Sequence, residues 1–210
     1  MSASKEDYLQ EIYRLQYCNN RAIKVTEIAN VLRVSKPSVS EMVRKLAKEG
    51  NIRFKRFGGI SLTERGIVEA RKTVRKHQLL EVFFNKVLNI KNTFHKEAHS
   101  AEHSLSDKAT DRLDNILKRP NICPDGNPIP SKNSRVVKLI QLPTKTEAKV
   151  IFAATQNKEC RERLNSLGLV PQAKIKVVRK LGNGPLILSV KGSEVALGQD
   201  ICKDIFVEIK

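Results

Sequence analysis

Apolar residues recur at helical spacing through the first half of the chain. They predict one helix that ends near residue 17 and a short helix over residues 27–32, capped by Thr26. A third helix is expected after Ser35, a good N-cap, with Pro37 in the first turn, where its missing N–H costs nothing. Two short helices joined by a tight turn predict a helix-turn-helix.

The next segment, residues 52–63, alternates apolar and polar residues around Gly58-Gly59. This pattern predicts a β-hairpin with basic residues on its exposed side, and a helix-turn-helix followed by a basic hairpin is typical of a winged helix. Some domains of this kind bind protein, but the basic wing favours duplex DNA. The N-terminal end of the second helix of the motif would then enter the major groove.

Candidate DNA-contacting residues come from this helix and from the hairpin. Short polar or acidic side chains can reach base edges, and basic side chains can neutralise phosphates. The candidates for base edges are Ser38, Ser40 and Glu41; those for phosphates are Lys36, Arg44, Lys55 and Arg56; Ser35 and Pro37 begin the helix.

Three further amphipathic helices are predicted in the middle of the chain. The first covers about residues 64–87 and is capped by Thr63, the second holds residues 95–103 and ends near residue 105, and the third covers residues 107–117 and is capped by Ser106. Amphipathic helices beside a DNA-binding unit predict a dimerisation layer, because a dimer doubles its contacts on a two-fold operator.

Histidine and carboxylate residues concentrate in this region. On a helix, His95, His99 and His103 are i,i+4 neighbours, and Glu102 lies three residues beyond His99. Earlier in the chain, His77 and Glu81 form another i,i+4 pair, which could chelate one ion. Imidazole and carboxylate together suit divalent iron, manganese, nickel or zinc. The alternative is a solvated polar face with incidental histidines, and we favour the metal site.

The last part of the chain changes to short strands. A Pro-, Asn- and Gly-rich segment precedes them, and their number and length predict a small SH3-like barrel. The predicted strands are residues 138–142, 148–153, 173–178, 186–190 and 205–209, with a short helix over residues 159–167. The fold class is therefore α+β and multidomain: a winged helix (1–64), a helical dimerisation and metal-binding domain (65–120), a linker (121–135) and an SH3-like domain (136–210).

The amino-acid composition limits the kinds of partner that the chain is expected to bind. The net charge of +17 favours a polyanion, nucleic acid first and an anionic membrane surface second. An aromatic content of 5% without Trp argues against base-stacking platforms for single strands. The four cysteines form no Cys-x-x-Cys pair, which argues against a zinc ribbon. Neither a signal peptide nor a bilayer-length apolar run is present, so a cytoplasmic protein is expected.

Several motifs together resemble the diphtheria toxin repressor family of metal-dependent repressors. They are residues 6–13, the Ser-Lys-Pro-Ser-Val-Ser segment 35–40, residues 75–81, residues 97–107, and the Cys-Pro-Asp-Gly-Asn-Pro-Ile-Pro loop 123–130, with Asp125 where a His is usual. The resemblance implies a dimeric, metal-activated repressor of metal-uptake genes without enzymatic activity. Its partners would be double-stranded operator DNA and a second copy of the chain, with no membrane and no small organic substrate.

The resemblance also implies two metal positions. The residues that match the regulatory site are Asp7, His99, Glu102 and His103. Those that match the ancillary site are His77, Glu81 and His95, with Asn157, Glu159 and Cys160 as candidates to complete it from the third domain. His99 stands where iron regulators of the family carry Cys and manganese regulators carry Glu.

The resemblance makes Fe²⁺ the expected metal and Mn²⁺ the alternative, with Ni²⁺, Co²⁺ or Zn²⁺ as substitutes in vitro. The SH3-like domain, similar to that of ferrous-iron transport proteins, favours iron. Asp7 follows the manganese pattern, whereas Gln10 replaces a manganese-type carboxylate. Two other functions compete: a metallohydrolase, for which no His-Glu-x-x-His motif is present, and a metal-independent architectural DNA binder.

Overall fold

The computed structural model describes residues 2–55, 59–155, 157–182 and 184–209. The chain divides into two compact units, Met1–Gln10 with Val68–Lys132 and Glu11–Ile67 with Asn133–Lys210. Two helices, α1 (Ala3–Asn19) and α4 (Glu64–Val82), contribute residues to both units. None of the helices in the described ranges combines the length and hydrophobicity that crossing a bilayer requires.

The helix-turn-helix and hairpin lie in the second unit. Their elements are α2 (Val25–Leu32), α3 (Lys36–Lys48), β1 (Ile52–Lys55) and β2 (Gly59–Leu62). Ser35 caps α3 as predicted, because its hydroxyl accepts the Ser38 N–H at 3.2 Å. The Thr26 cap is wrong: α2 begins at Val25, two residues earlier than predicted, and the Glu27 carboxylate accepts the Lys24 N–H instead. The tip residues 56–58, with the Arg56 DNA candidate, lie outside the described residues.

A close approach fixes where the hairpin meets α4. A Cβ added to Gly66 would lie 1.9 Å from the carbonyl oxygen of Asn51, so only glycine fits this position. The Thr63 hydroxyl accepts the Gly66 N–H at 3.1 Å and caps the helix, as predicted.

The first unit contains the helical segments that follow α4, up to residue 116. After α4 come a π-helical segment (Phe83–Val87), α5 (Phe94–Ala101), a 3₁₀ turn (Glu102–Ser104) and α6 (Asp107–Ile116). Ser106 caps α6 as predicted, and an Arg75–Asp114 ion pair of 2.7 Å joins α6 to α4. The expectation of one continuous helix to residue 105 is wrong, since α5 gives way to the 3₁₀ turn at Glu102.

The C-terminal part of the second unit is an antiparallel sheet with short helices, which confirms the predicted α+β class. Among the described residues its strands run in the order β3-β8-β4-β5-β6-β7 around a core that includes Val150, Val177 and Leu188. The elements are β3 (Arg135–Lys138), β4 (Glu147–Ala153), α7 (Lys158–Ser166), β5 (Lys174–Lys180), β6 (Leu186–Val190), β7 (Ser193–Leu197), α8 (Gln199–Cys202) and β8 (Ile205–Ile209).

The sheet differs from the sequence prediction at two places. The predicted strand 138–142 is wrong: β3 ends at Lys138, and a 3₁₀ turn follows that buries Leu139 and Leu142, three residues apart. The prediction also missed β7, because only Leu197 of that strand is buried and its remaining residues show no apolar alternation.

Within the second unit, the SH3-like part packs on the end of α1. Asn20, 4% exposed and in the left-handed conformation at φ 49°, accepts the Ala153 N–H at 2.6 Å and donates to the Asn165 side chain at 3.1 Å. The ring of Tyr13 meets that of Phe152 edge-on, with centroids 6.1 Å apart. One carboxamide and one aromatic pair thus connect the DNA-binding part to the SH3-like part.

Replacing Asn20 by Ala is expected to lower the free energy of unfolding by about 2–4 kcal/mol. The change leaves the buried Ala153 N–H without its acceptor and puts a Cβ-bearing residue without local hydrogen bonds in the left-handed region. Chemical denaturation measures the loss. The exposed neighbour provides the control, since Asn19→Ala should stay within about 0.5 kcal/mol of wild type. Equal effects of the two substitutions would contradict the assignment.

Candidate metal centre

A histidine–carboxylate cluster connects α4 to α5. Glu81, 2% exposed, lies one helical turn after His77, and its Oε1 is 3.1 Å from His77 Nε2 and 2.7 Å from His95 Nδ1. One ligand atom from each of these three residues lies within 4.8 Å of the others. These are the three residues assigned to the ancillary site from the resemblance.

A second cluster forms around Glu102, whose side chain is fully buried. One carboxylate oxygen is 2.6 Å from His77 Nδ1 and the other is 2.9 Å from His99 Nδ1. Burying a carboxylate is costly unless it is paired or binds a metal, and here both oxygens contact imidazoles. His77 therefore contacts both Glu81 and Glu102, through opposite ring nitrogens.

The third cluster joins α1 to the 3₁₀ turn. His103 Nε2 is 2.8 Å from Asp7 Oδ1 and 3.5 Å from Glu102 Oε1, and Asp7, Glu102 and His103 again offer ligand atoms within 4.8 Å of one another. The opposite nitrogen, Nδ1, is 2.7 Å from Glu6 Oε2. The ring of His99 lies 6.3 Å from that of His103, and His99 groups with His77 and Glu102 instead.

These contacts shift the pKa values of the buried groups. Burial alone would lower the pKa of His77, but its hydrogen bonds to Glu102 and Glu81 outweigh burial and raise the pKa to about 9. Burial alone would raise the pKa of Glu81, but its hydrogen bonds from His77, His95 and Cys123 outweigh burial and lower the pKa to about 2. Burial would also lower the pKa of His103, but its hydrogen bonds to Glu6 and Asp7 outweigh burial and raise the pKa.

Two contacting residues were missed by the sequence reasoning. Glu6 accepts from His103, and the buried Cys123 thiol donates to Glu81; burial first, and this hydrogen bond second, raise the pKa of the thiol to about 11. Adjacency to Asp7 was a usable signal for Glu6. Cys123 lies 42 positions beyond Glu81 in a turn held by its N–H bond to the Asn127 carbonyl, and spacing alone does not reveal that contact.

The ligand atoms of these clusters suit a divalent transition-metal ion. Each of the three clusters combines imidazole nitrogens with carboxylate oxygens, the ligands that suit iron, manganese, nickel and zinc. One turn after Asp7 on α1, the side-chain oxygen of Gln10 is buried without a hydrogen-bond partner among the described residues. A buried hydrogen-bond acceptor without a partner is unusual in a native protein and is consistent with a site completed by a ligand.

The third-domain candidates lie at the beginning of α7. Asn157 caps this helix, because its Oδ1 accepts the Cys160 N–H at 3.0 Å, so its carboxamide already has a structural role. Glu159 is exposed and Cys160 is partly buried.

The DNA-contact candidates lie on the exposed side of α3 and on β1. Lys36, Glu41, Arg44 and Lys55 are exposed, as are Ser35, Pro37 and Ser38. The Ser38 hydroxyl lies 2.8 Å from that of Ser35, and the Ser40 hydroxyl donates to the Lys36 carbonyl at 2.9 Å. The hydroxyls of Ser38 and Ser40 thus have hydrogen-bond partners at the start of α3. The longer side chains of Lys36, Glu41 and Arg44 are exposed and can reach outward.

Comparison with known proteins agrees with this architecture along the whole chain. Residues 1–60 match the iron dependent repressor N-terminal DNA binding domain, residues 63–131 its metal binding and dimerisation domain, and residues 137–209 the FeoA domain. We refer to residues 137–209 as the FeoA-type domain.

Individual relatives fall into short and full-length groups. An uncharacterized HTH-type transcriptional regulator of Methanocaldococcus jannaschii is 39% identical over 120 residues, which cover 57% of this chain and 96% of the relative. The iron-dependent repressor IdeR of Mycobacterium tuberculosis is 28% identical over 97% of this chain and 96% of its own length.

Solved structures of similar proteins align over nearly the full length of the chain. The manganese regulator SloR is 29% identical with a TM-score of 0.55 and complete coverage of both chains. The metal-dependent transcriptional regulator MtsR is 26% identical with a TM-score of 0.57 and covers 99% of each chain. The chain belongs to the iron-dependent repressor family and is a metal-dependent transcriptional repressor.

The metal-free protein should lose stability as the pH rises from about 6.5 to about 9. The folded-state pKa of His77, about 9, lies above its ordinary value of 6.5, so the bound proton stabilises the fold below pH 6.5. That contribution disappears as the pH passes through the folded-state pKa. Denaturation in chelator at several pH values measures it.

Glu102→Gln should reduce this pH dependence, because the substitution removes the negative charge that holds the His77 proton. Glu97→Gln, at an exposed position on α5, should leave it unchanged. If the stability of Glu102→Gln changed with pH in the same way as that of wild type, Glu102 would not control the proton on His77.

Proposed function

We propose that a divalent ion held by Asp7, Glu102 and His103 activates this repressor for operator binding. The observation that carries the proposal is the Asp7–His103 contact, which joins the N-terminal part of α1 to the 3₁₀ turn of the helical domain. The ion supplies positive charge that holds two carboxylates together. Without it, Asp7 and Glu102 repel each other unless His103 is protonated.

The remainder of α1 belongs to the DNA-binding part, so its position bears on α3 and the hairpin. Asp7 and His103 hold the ion best in one arrangement of α1, and binding shifts the population towards that arrangement. A coupling of about 1–3 kcal/mol between metal and DNA corresponds to about a 5- to 150-fold change in affinity. A modest difference in metal affinity between two arrangements is therefore sufficient for regulation.

Fe²⁺ is the proposed physiological metal. Two of the three clusters contain two imidazoles and one carboxylate, a ratio that favours iron over manganese. The likeness to IdeR extends over nearly the full chain.

Mn²⁺ is the second candidate, because the Asp7, Glu102 and His103 cluster has two carboxylates and one imidazole. The full-length likeness to the manganese regulator SloR shows that the three-part architecture does not by itself distinguish the metals. Gel-shift titrations with anaerobic Fe²⁺ and with Mn²⁺, referred to free-metal concentration, decide between them. Half-maximal DNA binding at lower Mn²⁺ than Fe²⁺ would overturn the iron assignment.

The proposed partners are operator DNA and a second copy of the chain, in the cytoplasm. Support for a dimer comes from the matched dimerisation domain and from apolar side chains that are at least half exposed among the described residues of the first unit: Val87, Leu88, Ile116 and Ile122. The comparisons lend the metallohydrolase alternative no support, because the matched family consists of transcriptional repressors. A metal-independent DNA binder would have no use for three groups of imidazole and carboxylate atoms that each lie within 4.8 Å of one another.

Asp7→Ala should abolish metal-stimulated DNA binding and leave the fold intact. The substitution removes one of three donors, so a metal response of 5- to 150-fold should fall below about threefold. The measurement is a gel shift with and without metal, and circular dichroism checks folding. Glu11→Ala on the same helix is the matched control and should respond normally. An Asp7→Ala protein that still responds to metal as wild type does would refute the regulatory assignment.

Lys36→Ala should weaken binding about equally on all duplex sequences and reduce the slope of log affinity against log salt by about one. The exposed ammonium at the start of α3 is placed to neutralise one phosphate. Fluorescence anisotropy at several salt concentrations gives the slope. Lys203→Ala, an exposed lysine after α8 in the FeoA-type domain, should leave the slope unchanged. The same slope for Lys36→Ala and wild type would remove Lys36 from the interface.

A further inference from the structure

The imidazole of His103 is held from both sides by consecutive carboxylates of α1. Glu6 Oε2 lies 2.7 Å from Nδ1, and Asp7 Oδ1 lies 2.8 Å from Nε2. Neighbouring residues on a helix point about 100° apart, which lets one turn reach both edges of the ring. Only Asp7 belongs to the cluster of candidate ligands, and Glu6 lies on the far side of the imidazole.

The two ring nitrogens face different surroundings. Nε2 faces Asp7 and is also 3.5 Å from Glu102, so it is the atom directed at the candidate metal position. A histidine that binds a metal is neutral: the ligating nitrogen offers its lone pair, and the other nitrogen keeps its proton. If Nε2 binds the ion, Nδ1–H needs an acceptor, and Glu6 is already within hydrogen-bond distance.

We propose that Glu6 is the positioning residue of the regulatory site. It accepts the Nδ1–H of His103 and thereby holds the ring in the tautomer whose Nε2 lone pair faces Asp7 and Glu102. This inference rests on the proposed function, since it deepens the role of the same site. The hydrogen bond is sheltered, because the side chains of Glu6 and His103 are only 23% and 21% exposed.

Glu6 affects affinity in two ways. A carboxylate acceptor orients the ring before the ion binds, and its negative charge increases the electron-donating power of the opposite nitrogen. Loss of such a partner typically costs about 10- to 100-fold in metal affinity. A neutral acceptor keeps the first effect and loses the second, so a glutamine at this position separates them.

The test uses Co²⁺ as the probe with the full-length protein. Visible absorption follows Co²⁺ binding, and competition with a chelator gives the affinity. Glu6→Ala should lower the affinity 10- to 100-fold and alter the absorption bands. Glu6→Gln should recover most of the affinity because its amide oxygen still accepts the Nδ1–H. Glu11→Gln, on the same helix but paired with Arg14, should bind as wild type does.

A second measurement needs no substitution. Nitrogen NMR of the wild-type protein loaded with diamagnetic Zn²⁺ distinguishes the protonated from the metal-bound nitrogen of His103, with Nδ1 expected to carry the proton. Metal bound through Nδ1, or unchanged Co²⁺ affinity in Glu6→Ala, would overturn the positioning role. If Asp7→Ala also leaves Co²⁺ affinity unchanged, the proposed regulatory site itself fails; if Asp7→Ala weakens binding and Glu6→Ala does not, only the role of Glu6 fails.

Discussion

The buried carboxylate of Glu102 is the constraint on which the candidate metal centre depends. A charge without solvent contact persists only with strong partners, and here His77 and His99 supply them while His103 lies close by. These partners come from α4, α5 and the 3₁₀ turn, so a single carboxylate determines how three segments of the helical domain are placed. In the proposed function, a divalent ion would be an alternative partner for the same oxygen atoms, so that one group would serve both the metal-free fold and the metal-bound state.

In the proposed function, helix α1 would link that centre to the DNA-binding part. Glu6 and Asp7, near the beginning of α1, face His103, and the residues from Glu11 onwards belong to the part of the chain that carries α3. Activation as proposed would require only a shift in population between arrangements of α1, without any refolding of the DNA-binding part.

Sequence reasoning identified three helix caps that depend on near neighbours, but it misplaced the cap of α2 and one strand, and it missed contacts between distant residues. The caps at Ser35, Thr63 and Ser106 were predictable because each accepts from an N–H three residues ahead. The strand prediction over residues 138–142 was wrong because a 3₁₀ turn and a strand both produce short apolar runs. The resemblance selected candidate ligands, but Glu6 and His103 are 97 positions apart, and their contact could not be read from spacing.

The Asn20 connection has a consequence for how shortened versions of this protein behave. The carboxamide of Asn20 and the ring of Tyr13 are buried by the FeoA-type domain, so a chain cut before β3 would expose both at the end of α1. A defect in a truncated protein would therefore have two causes: the loss of the FeoA-type domain and the altered packing of the DNA-binding part. The boundary between the two parts is clear along the chain but not in the packing, because residues of each part bury side chains of the other.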